Sequence, residues 1–174
     1  MAKYRIPLQI LLLLFLSGCD LFKSADKTEQ LPPATQEGKN TFGCLVNGKV
    51  WLPKGNNGTA NLDASYDPSY NGGTLSVAAY RIESSNFQGI LIGASNITLP
   101  SSMDFHADGT PLAQFFDEQT SCGYNDSLTF LGGALQITKL SIGSQIASGT
   151  SHFKVVNQGC DTVKVTDGRF DLKF

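Results

Sequence analysis

The fold is decided most clearly by the last stretch of the chain, TVKVTDGRFDLKF at residues 162–174. Its apolar positions are Val163, Val165, Phe170, Leu172 and Phe174, and polar residues or glycine stand between them. Alternation with a period of two over this length predicts half-buried antiparallel strand structure. The pair Asp167-Gly168 interrupts the alternation and predicts a hairpin turn or a bulge inside the run.

A second strong signal lies at residues 41–52, TFGCLVNGKVWL, where Asn47-Gly48 separates two apolar runs and predicts a hairpin with a type I′ turn. Further strands are predicted at 61–66, 74–82, 89–94, 134–140 and 150–157. Between 98 and 126 the chain forms either a short helix, from Thr110-Pro111 through Asp117, or a strand around Phe115-Phe116, and we favour the strand. The sequence thus predicts an all-β fold, an antiparallel β-sandwich or open barrel of about eight or more short strands.

The N-terminus predicts a secretion signal at residues 1–18. Lys3 and Arg5 precede an apolar run that ends at Leu16-Ser17-Gly18-Cys19, and this run is too short to cross a bilayer as a helix. The four residues LSGC resemble the lipobox of bacterial lipoproteins, in which the cysteine receives diacylglycerol, becomes the mature N-terminus and is acylated with a fatty acid such as palmitate. The resemblance implies that Cys19 is the lipidation site and membrane anchor.

Residues 20–40 are polar and contain Leu31-Pro32-Pro33, so we expect residues 19–40 to form a lipid anchor and flexible tether and residues 41–174 to form a single β domain. The expected location is the cell envelope. We favour the outer membrane, on its periplasmic face, with the cell surface as the alternative.

Charge excludes one class of partner. Removing the first 18 of 174 residues leaves 156, enough for one domain, and because the leader carries Lys3 and Arg5 the formal net charge of −2 becomes −4. The remaining cations are scattered along the chain, whereas nucleic-acid-binding proteins cluster them. We expect no nucleic-acid partner and no cofactor.

Three cysteines besides the anchor leave at least one unpaired in an oxidising compartment. Cys44 shares a predicted strand face with Phe42 and Val46, which predicts a buried thiol. Cys122 and Cys160 stand in turn-like sequence and are the predicted disulfide.

The segments KNTFGCLVNG at 39–48, ASGT at 147–150 and VKVTDGRFD at 163–171, together with the lipobox, resemble a family of uncharacterised lipoproteins of Bacteroidetes. In that domain of unknown function an N-terminal TFGC-VNG hairpin and a C-terminal TDGRFD ending recur. This chain departs from the pattern at Ser151, where an aromatic residue is expected. The resemblance implies a lineage and a compartment, and it implies no activity.

Several groups of acidic and histidine residues are candidate sites. Asp104, His106 and Asp108, followed by Gly109, imitate the start of a calcium loop, but Phe115 stands where a bidentate acid should follow, so a solvated turn is the favoured reading. His152 falls on the polar face of its strand. Asp117 and Glu118 are adjacent and would point to opposite faces of a strand, unlike paired glycosidase acids.

Aromatic residues offer a stacking platform for sugars. The candidates are Trp51, Tyr66, Tyr70, Tyr80 and Tyr124, with core packing as the alternative for Trp51. We expect a lipid-anchored envelope protein with a non-catalytic binding or structural role, held by the membrane and partnered by a carbohydrate or an envelope protein. The alternative is an envelope enzyme acting on glycan or peptide.

Overall fold

A computed structural model describes residues 29–56, 58–84, 86–97, 99, 101–105, 112–120, 122–124 and 130–174. The described residues form strands, turns and irregular segments, with no helix among them. The strands are β1 (Thr41–Val46), β2 (Lys49–Trp51), β3 (Leu62–Asp67), β4 (Thr74–Glu83), β5 (Asn86–Ala94), β6 (Ser101–Asp104), β7 (Leu112–Asp117), β8 (Cys122–Tyr124), β9 (Phe130–Ser141), β10 (Ile146–Val155) and β11 (Val163–Lys173). Within that part of the chain, therefore, no helix is present that could span a membrane.

Two antiparallel sheets make up the fold. The six-stranded sheet has the order β2-β1-β11-β10-β9-β6, and the five-stranded sheet has the order β3-β4-β5-β7-β8. The sheets do not close into a barrel, which confirms the all-β prediction and favours its sandwich form over an open barrel. After β2 the chain crosses from the six-stranded sheet to the five-stranded sheet. There Lys54 pairs with Arg81 on β4 in a single parallel bridge.

The core lies between the sheets and follows the alternation of the strands. On β4 it takes Leu75, Val77 and Ala79, and on β5 it takes Ile90, Ile92 and Ala94. The six-stranded sheet contributes every second residue in the same way, for example Phe153 and Val155 on β10. Burial of these apolar faces is the main stabilising contribution to the fold.

The two local predictions for turns hold. Asn47 and Gly48 have φ of 49° and 80°, and positive φ at both central residues is what a type I′ turn between β1 and β2 requires. Asp167-Gly168 forms a bulge, because the pairing of β11 with β1 and with β10 shifts register there and Asp167 has φ of 51°.

The ambiguous middle segment contains strand β7, as favoured, and not a helix. Its pairing with β5 explains the outcome, since Ala113 and Phe115 enter the core while Gln114 and Phe116 face outward with a period of two. The short strands β6 and β8 were not predicted individually. Each lies at the edge of its sheet, where few residues are needed to complete the pairing.

The predicted tether is wrong for residues 29–40, which lie against the domain. Pro32 and Leu31 lie over Gly43 of β1, and the backbone oxygen of Pro32 accepts a hydrogen bond from Arg169 of β11. Lys139 of β9 donates to the oxygen of Gln36 at 2.7 Å. We call residues 29–40 the N-terminal segment. It covers part of the outer face of the six-stranded sheet, and the predicted leader, Cys19 and residues 20–28 lie outside the described residues.

Candidate binding sites

Asp171 holds the N-terminal segment in place. Its side chain points away from the core, because its strand neighbours Phe170 and Leu172 are core residues, yet it is only 1% exposed. Its carboxylate accepts hydrogen bonds from the hydroxyls of Thr35 and Ser148, at 2.5 and 2.7 Å, and from the amides of Glu37, Gly38 and Lys39, at 3.0, 2.8 and 3.2 Å. The N-terminal segment is thus attached to the sheet through hydrogen bonds to one buried carboxylate, and not through pairing as a strand.

Burial alone would raise the pKa of Asp171. The hydrogen bonds that its carboxylate accepts outweigh this effect and hold the pKa well below its usual range. Asp171 is therefore a structural anion whose ligands are parts of the chain itself.

The N-terminal segment begins at an ion-pair cluster. Arg81 donates to the carboxylate of Glu29 at 3.0 Å and to that of Glu83 at 3.0 Å, and Lys54 lies 2.9 Å from Glu83. The hydrogen bonds from Arg81 lower the pKa of Glu29 below its usual value. Because the side chain of Arg81 is only 15% exposed, Glu29 is held at a defined point beside β4.

The predicted disulfide is present. The Sγ atoms of Cys122 and Cys160 are 2.01 Å apart and the Cα atoms 6.2 Å apart, so the bridge ties β8 of one sheet to the loop between β10 and β11 of the other. Cys44, also as predicted, is a free thiol with no exposed surface, and burial raises its pKa to about 12. The thiol is inert in the folded protein.

A cleft of about 650 Å³ opens between the sheets beside this disulfide, and we call it the disulfide cleft. Its apolar lining is Val46, Phe115, Val163 and the two bridged cysteines, and its polar lining includes Asn47, Lys49, Gln88, Asp117, Thr120 and Asp161. Apolar walls with a few convergent polar groups are typical of small-molecule sites.

Hydrogen bonds fix the polar wall of the disulfide cleft. The indole of Trp51 donates to Gln88 Oε1 at 2.9 Å, and Gln88 Nε2 donates to Asp117 Oδ2 at 2.7 Å. The second oxygen of Asp117 accepts from the amide of Gln119 at 3.0 Å. A core tryptophan therefore orients the amide, and the amide orients the carboxylate, so both present fixed planar groups to the cleft.

A second cleft, of about 440 Å³, lies on the outer face of the five-stranded sheet. We define the aromatic face as the five half-buried side chains Tyr80, Ile82, Phe87, Leu91 and Phe116 that line it together with Thr59 and Ala60. The rings of Tyr80 and Phe87 are stacked at 5.5 Å with 13° between their planes, and Phe116 leans on both.

Gly89 makes room for this aromatic cluster. It pairs with Tyr80 on one side and with Phe116 on the other, and a Cβ at Gly89 would lie 2.1 Å from Cζ of Phe116. The ring of Phe116 thus lies over the backbone of β5.

The acidic and histidine candidates are not brought together by the described residues. Asp104 ends β6 at the edge of the six-stranded sheet and is exposed, whereas Asp117 lies on β7 of the other sheet. Among the residues that the structure describes, no three His, Cys, Asp or Glu side chains are grouped to hold a metal ion, and His106 and Asp108 lie outside them. His152 is exposed on β10, as expected.

The five aromatic candidates do not form one platform. Trp51 is 4% exposed and packs on Phe42 in the core, Tyr66 packs on Phe174, and Tyr70 is 60% exposed in a turn. Tyr80 alone is placed in the aromatic face, and the side chain of Tyr124 lies outside the described part of the structure.

Sequence reasoning missed Gln88 and the aromatic face, although signals for both exist. Gln88 lies on the same face of β5 as the core residues Ile90 and Ile92, so its polar side chain points inward. On β4 the core positions end at Ala79 while Tyr80 and Ile82 add apolar side chains on the opposite face. No local sequence signal reveals the role of Asp171, because its partners in the N-terminal segment lie more than 130 residues away in the sequence.

Comparisons with family models, with curated proteins and with solved structures find no match to this chain. The two clefts and the sequence of the N-terminus are therefore the features that bear on function.

Proposed function

We propose that this chain is a lipid-anchored envelope protein that binds a carbohydrate at the disulfide cleft without transforming it. The observation that carries the proposal is the hydrogen-bonded pair of Gln88 and Asp117, which lines the cleft together with the apolar side chains of Phe115 and Val163. Sugars present both kinds of surface, hydroxyl groups at the ring edge and C–H groups on the ring face. Planar amide and carboxylate groups accept hydrogen bonds from hydroxyls and donate to them, and the apolar lining can contact the C–H face.

Fixed geometry favours binding. Asp117 is held by Gln88 and by the amide of Gln119, so its carboxylate loses little conformational freedom when a ligand binds. Lys49 and Asp161 lie on the six-stranded side of the cleft and add a donor and an acceptor. The disulfide holds the two walls at a set separation.

Binding of the purified protein to a panel of glycans, measured by calorimetry, tests the proposal. We expect Lys49→Ala and Asp117→Ala each to weaken binding about tenfold, because each removes a charged hydrogen-bonding group. Matched controls are Lys154→Ala and Asp63→Ala, exposed residues outside the cleft, which should bind as the native protein does. Equal affinity in all four variants would place the ligand elsewhere, and absence of binding to any glycan would reject the ligand class.

The alternative of an enzyme has one observation in its favour, since Asp117 and Asp161 line the same cleft and glycosidases use two carboxylates. The same glycans, incubated with the protein and analysed for shortened products, distinguish the two functions. Products that disappear in Asp117→Ala would replace the binding role by hydrolysis.

Anchoring is proposed at Cys19 on the sequence LSGC. Substitution Cys19→Ala should move the protein from the membrane to the soluble fraction of cells, and unchanged membrane retention would refute the anchor. The location proposed is the outer membrane facing the periplasm. Protease added to intact cells should leave the domain uncut, and its digestion would place it on the cell surface instead.

A further inference from the structure

The aromatic face is an apolar surface in a position that is usually polar. Outer faces of antiparallel sandwich sheets commonly face water and carry polar side chains. Here Tyr80, Ile82, Phe87, Leu91 and Phe116 are partly buried but keep some exposed surface on neighbouring strands β4, β5 and β7. A contiguous apolar surface that solvent still reaches is a candidate contact surface for a partner.

The start of the described chain lies close to the strand that carries the aromatic face. Glu29, where the described chain begins, is paired to Arg81 on β4. Arg81 lies between Tyr80 and Ile82 of the aromatic face, and alternation along the strand directs its side chain to the opposite side of β4. Glu29 is therefore held beside the strand that carries this face, on the side away from it.

The remaining chain is short. Nine residues, 20–28, separate Cys19 from Glu29, and even fully extended they place these two residues no more than about 35 Å apart. A lipid on Cys19 would hold the aromatic face at high effective concentration next to the bilayer in which the lipid is embedded.

We propose that the aromatic face rests on the lipid surface of the membrane that holds Cys19, so that the domain lies on the bilayer through a second, non-covalent contact. This inference rests on the anchor proposed above and is independent of the carbohydrate. The residues lining this cleft are all uncharged, as an acyl-chain contact requires. Tyr80 suits the boundary between headgroups and acyl chains, where tyrosine is enriched.

Lipid contact leaves the disulfide cleft open. Phe115 and Asp117 of β7 face the space between the sheets, whereas Phe116 between them faces outward. A domain lying on its aromatic face thus keeps its proposed ligand site accessible from the side.

The test uses the full, lipidated protein reconstituted into vesicles of phosphatidylethanolamine and phosphatidylglycerol with brominated acyl chains. The variant Tyr80→Trp introduces a fluorophore in the aromatic face, and Phe87→Trp is a second probe in case the first does not fold. Tyr70→Trp, at an exposed tyrosine outside the face, is the matched control. Native Trp51 is buried in the core and supplies the background emission.

We expect the probes at residues 80 and 87 to emit at shorter wavelength and to lose emission to the bromines, while the Tyr70→Trp probe does neither. Protein that floats with the vesicles but shows no quenching at either probe would overturn the lipid contact and leave the anchor intact. Protein that does not float would refute the anchor and this inference together. A blue shift without quenching would assign the face to a second copy or another protein, and would also overturn the proposal.

Discussion

The outer faces of the two sheets differ in what covers them. On the six-stranded sheet the N-terminal segment covers Gly43 and Asp171, and four hydrogen bonds from the segment to the carboxylate of Asp171 hold it in place. On the five-stranded sheet the aromatic face remains partly exposed beside Thr59 and Ala60. The first face is completed by the chain itself, whereas the second has the composition of an interface. The covered face thus contributes to stability, and the proposed role of the aromatic face is contact with a partner.

The largest loss of stability is expected when the carboxylate of Asp171 is removed. Asp171→Ala leaves two hydroxyls and three amides without their acceptor, and we expect the free energy of unfolding to fall by about 3 kcal/mol or more. Urea denaturation measures the loss. Asp63→Ala, at an exposed acid of β3, should change stability by less than about 0.5 kcal/mol. Equal losses in the two variants would show that the N-terminal segment is not held by Asp171.

Low pH should also weaken the attachment of the N-terminal segment to the six-stranded sheet. The pKa of Asp171 is depressed in the folded protein, so its contribution to stability is present above its unfolded pKa, about 3.9, and is lost as the pH falls through the folded pKa. We expect the unfolding free energy of the native protein to fall as the pH drops below about 4. The decline should be shallower in Asp171→Ala. Parallel pH profiles for the two proteins would assign the acid sensitivity to other carboxyls.

The same contrast explains which parts of the structure the sequence predicts. The Asn47-Gly48 turn, the bulge at Asp167-Gly168 and the alternation of β11 are consequences of local chemistry, and local patterns reveal them. The Cys122–Cys160 pairing followed from the odd cysteine count and from the apolar strand context of Cys44. Each of these inferences needs only neighbouring residues or a choice among three cysteines.

The N-terminal segment could not be predicted in this way. Its polarity and its two adjacent prolines are typical of a tether, and alternation places Asp171 correctly on the outer side of β11. What buries Asp171 is a contact with Glu37, Gly38 and Lys39, made through backbone amides that any residue except proline possesses. Side-chain patterns carry no record of such a contact.

The disulfide cleft was missed for a related reason. The sequence pairs Asp117 with its neighbour Glu118, but the side chain that hydrogen-bonds Asp117 is Gln88 on the adjacent strand. The pairing of β5 with β7, which no local pattern specifies, brings the amide and the carboxylate together. Sequence patterns thus predict the strands and their faces, and the order of strands in the sheets decides the site.

Gly43 of β1, which the N-terminal segment covers, tests how closely that segment is packed. A Cβ at Gly43 would lie 2.6 Å from Cδ of Pro32 in the N-terminal segment and 2.8 Å from Cδ2 of Leu52. We expect Gly43→Ala to cost about 1 to 2 kcal/mol, because the segment must lift or shift while Asp171 still holds it. Gly143→Ala is the control, since a Cβ there meets nothing within 4 Å. If the two variants unfold at the same urea concentration, the segment is not tightly packed on β1.

The smallest effect is expected at the corresponding glycine of the aromatic face. A Cβ at Gly89 would lie 2.1 Å from Cζ of Phe116, a closer approach than at Gly43, but this atom is the far end of a half-exposed side chain that rotates away into solvent. Replacing glycine by alanine within a strand also reduces the entropy of the unfolded chain, which offsets part of the lost ring contact. We therefore expect Gly89→Ala to change the free energy of unfolding by less than about 1 kcal/mol and to displace Phe116 from its place against Tyr80. Urea denaturation measures the first effect and the nuclear Overhauser contacts between the two rings measure the second. A loss as large as that of Gly43→Ala would mean that the aromatic face is packed as firmly as the covered face, and the contrast between stability and contact would fail.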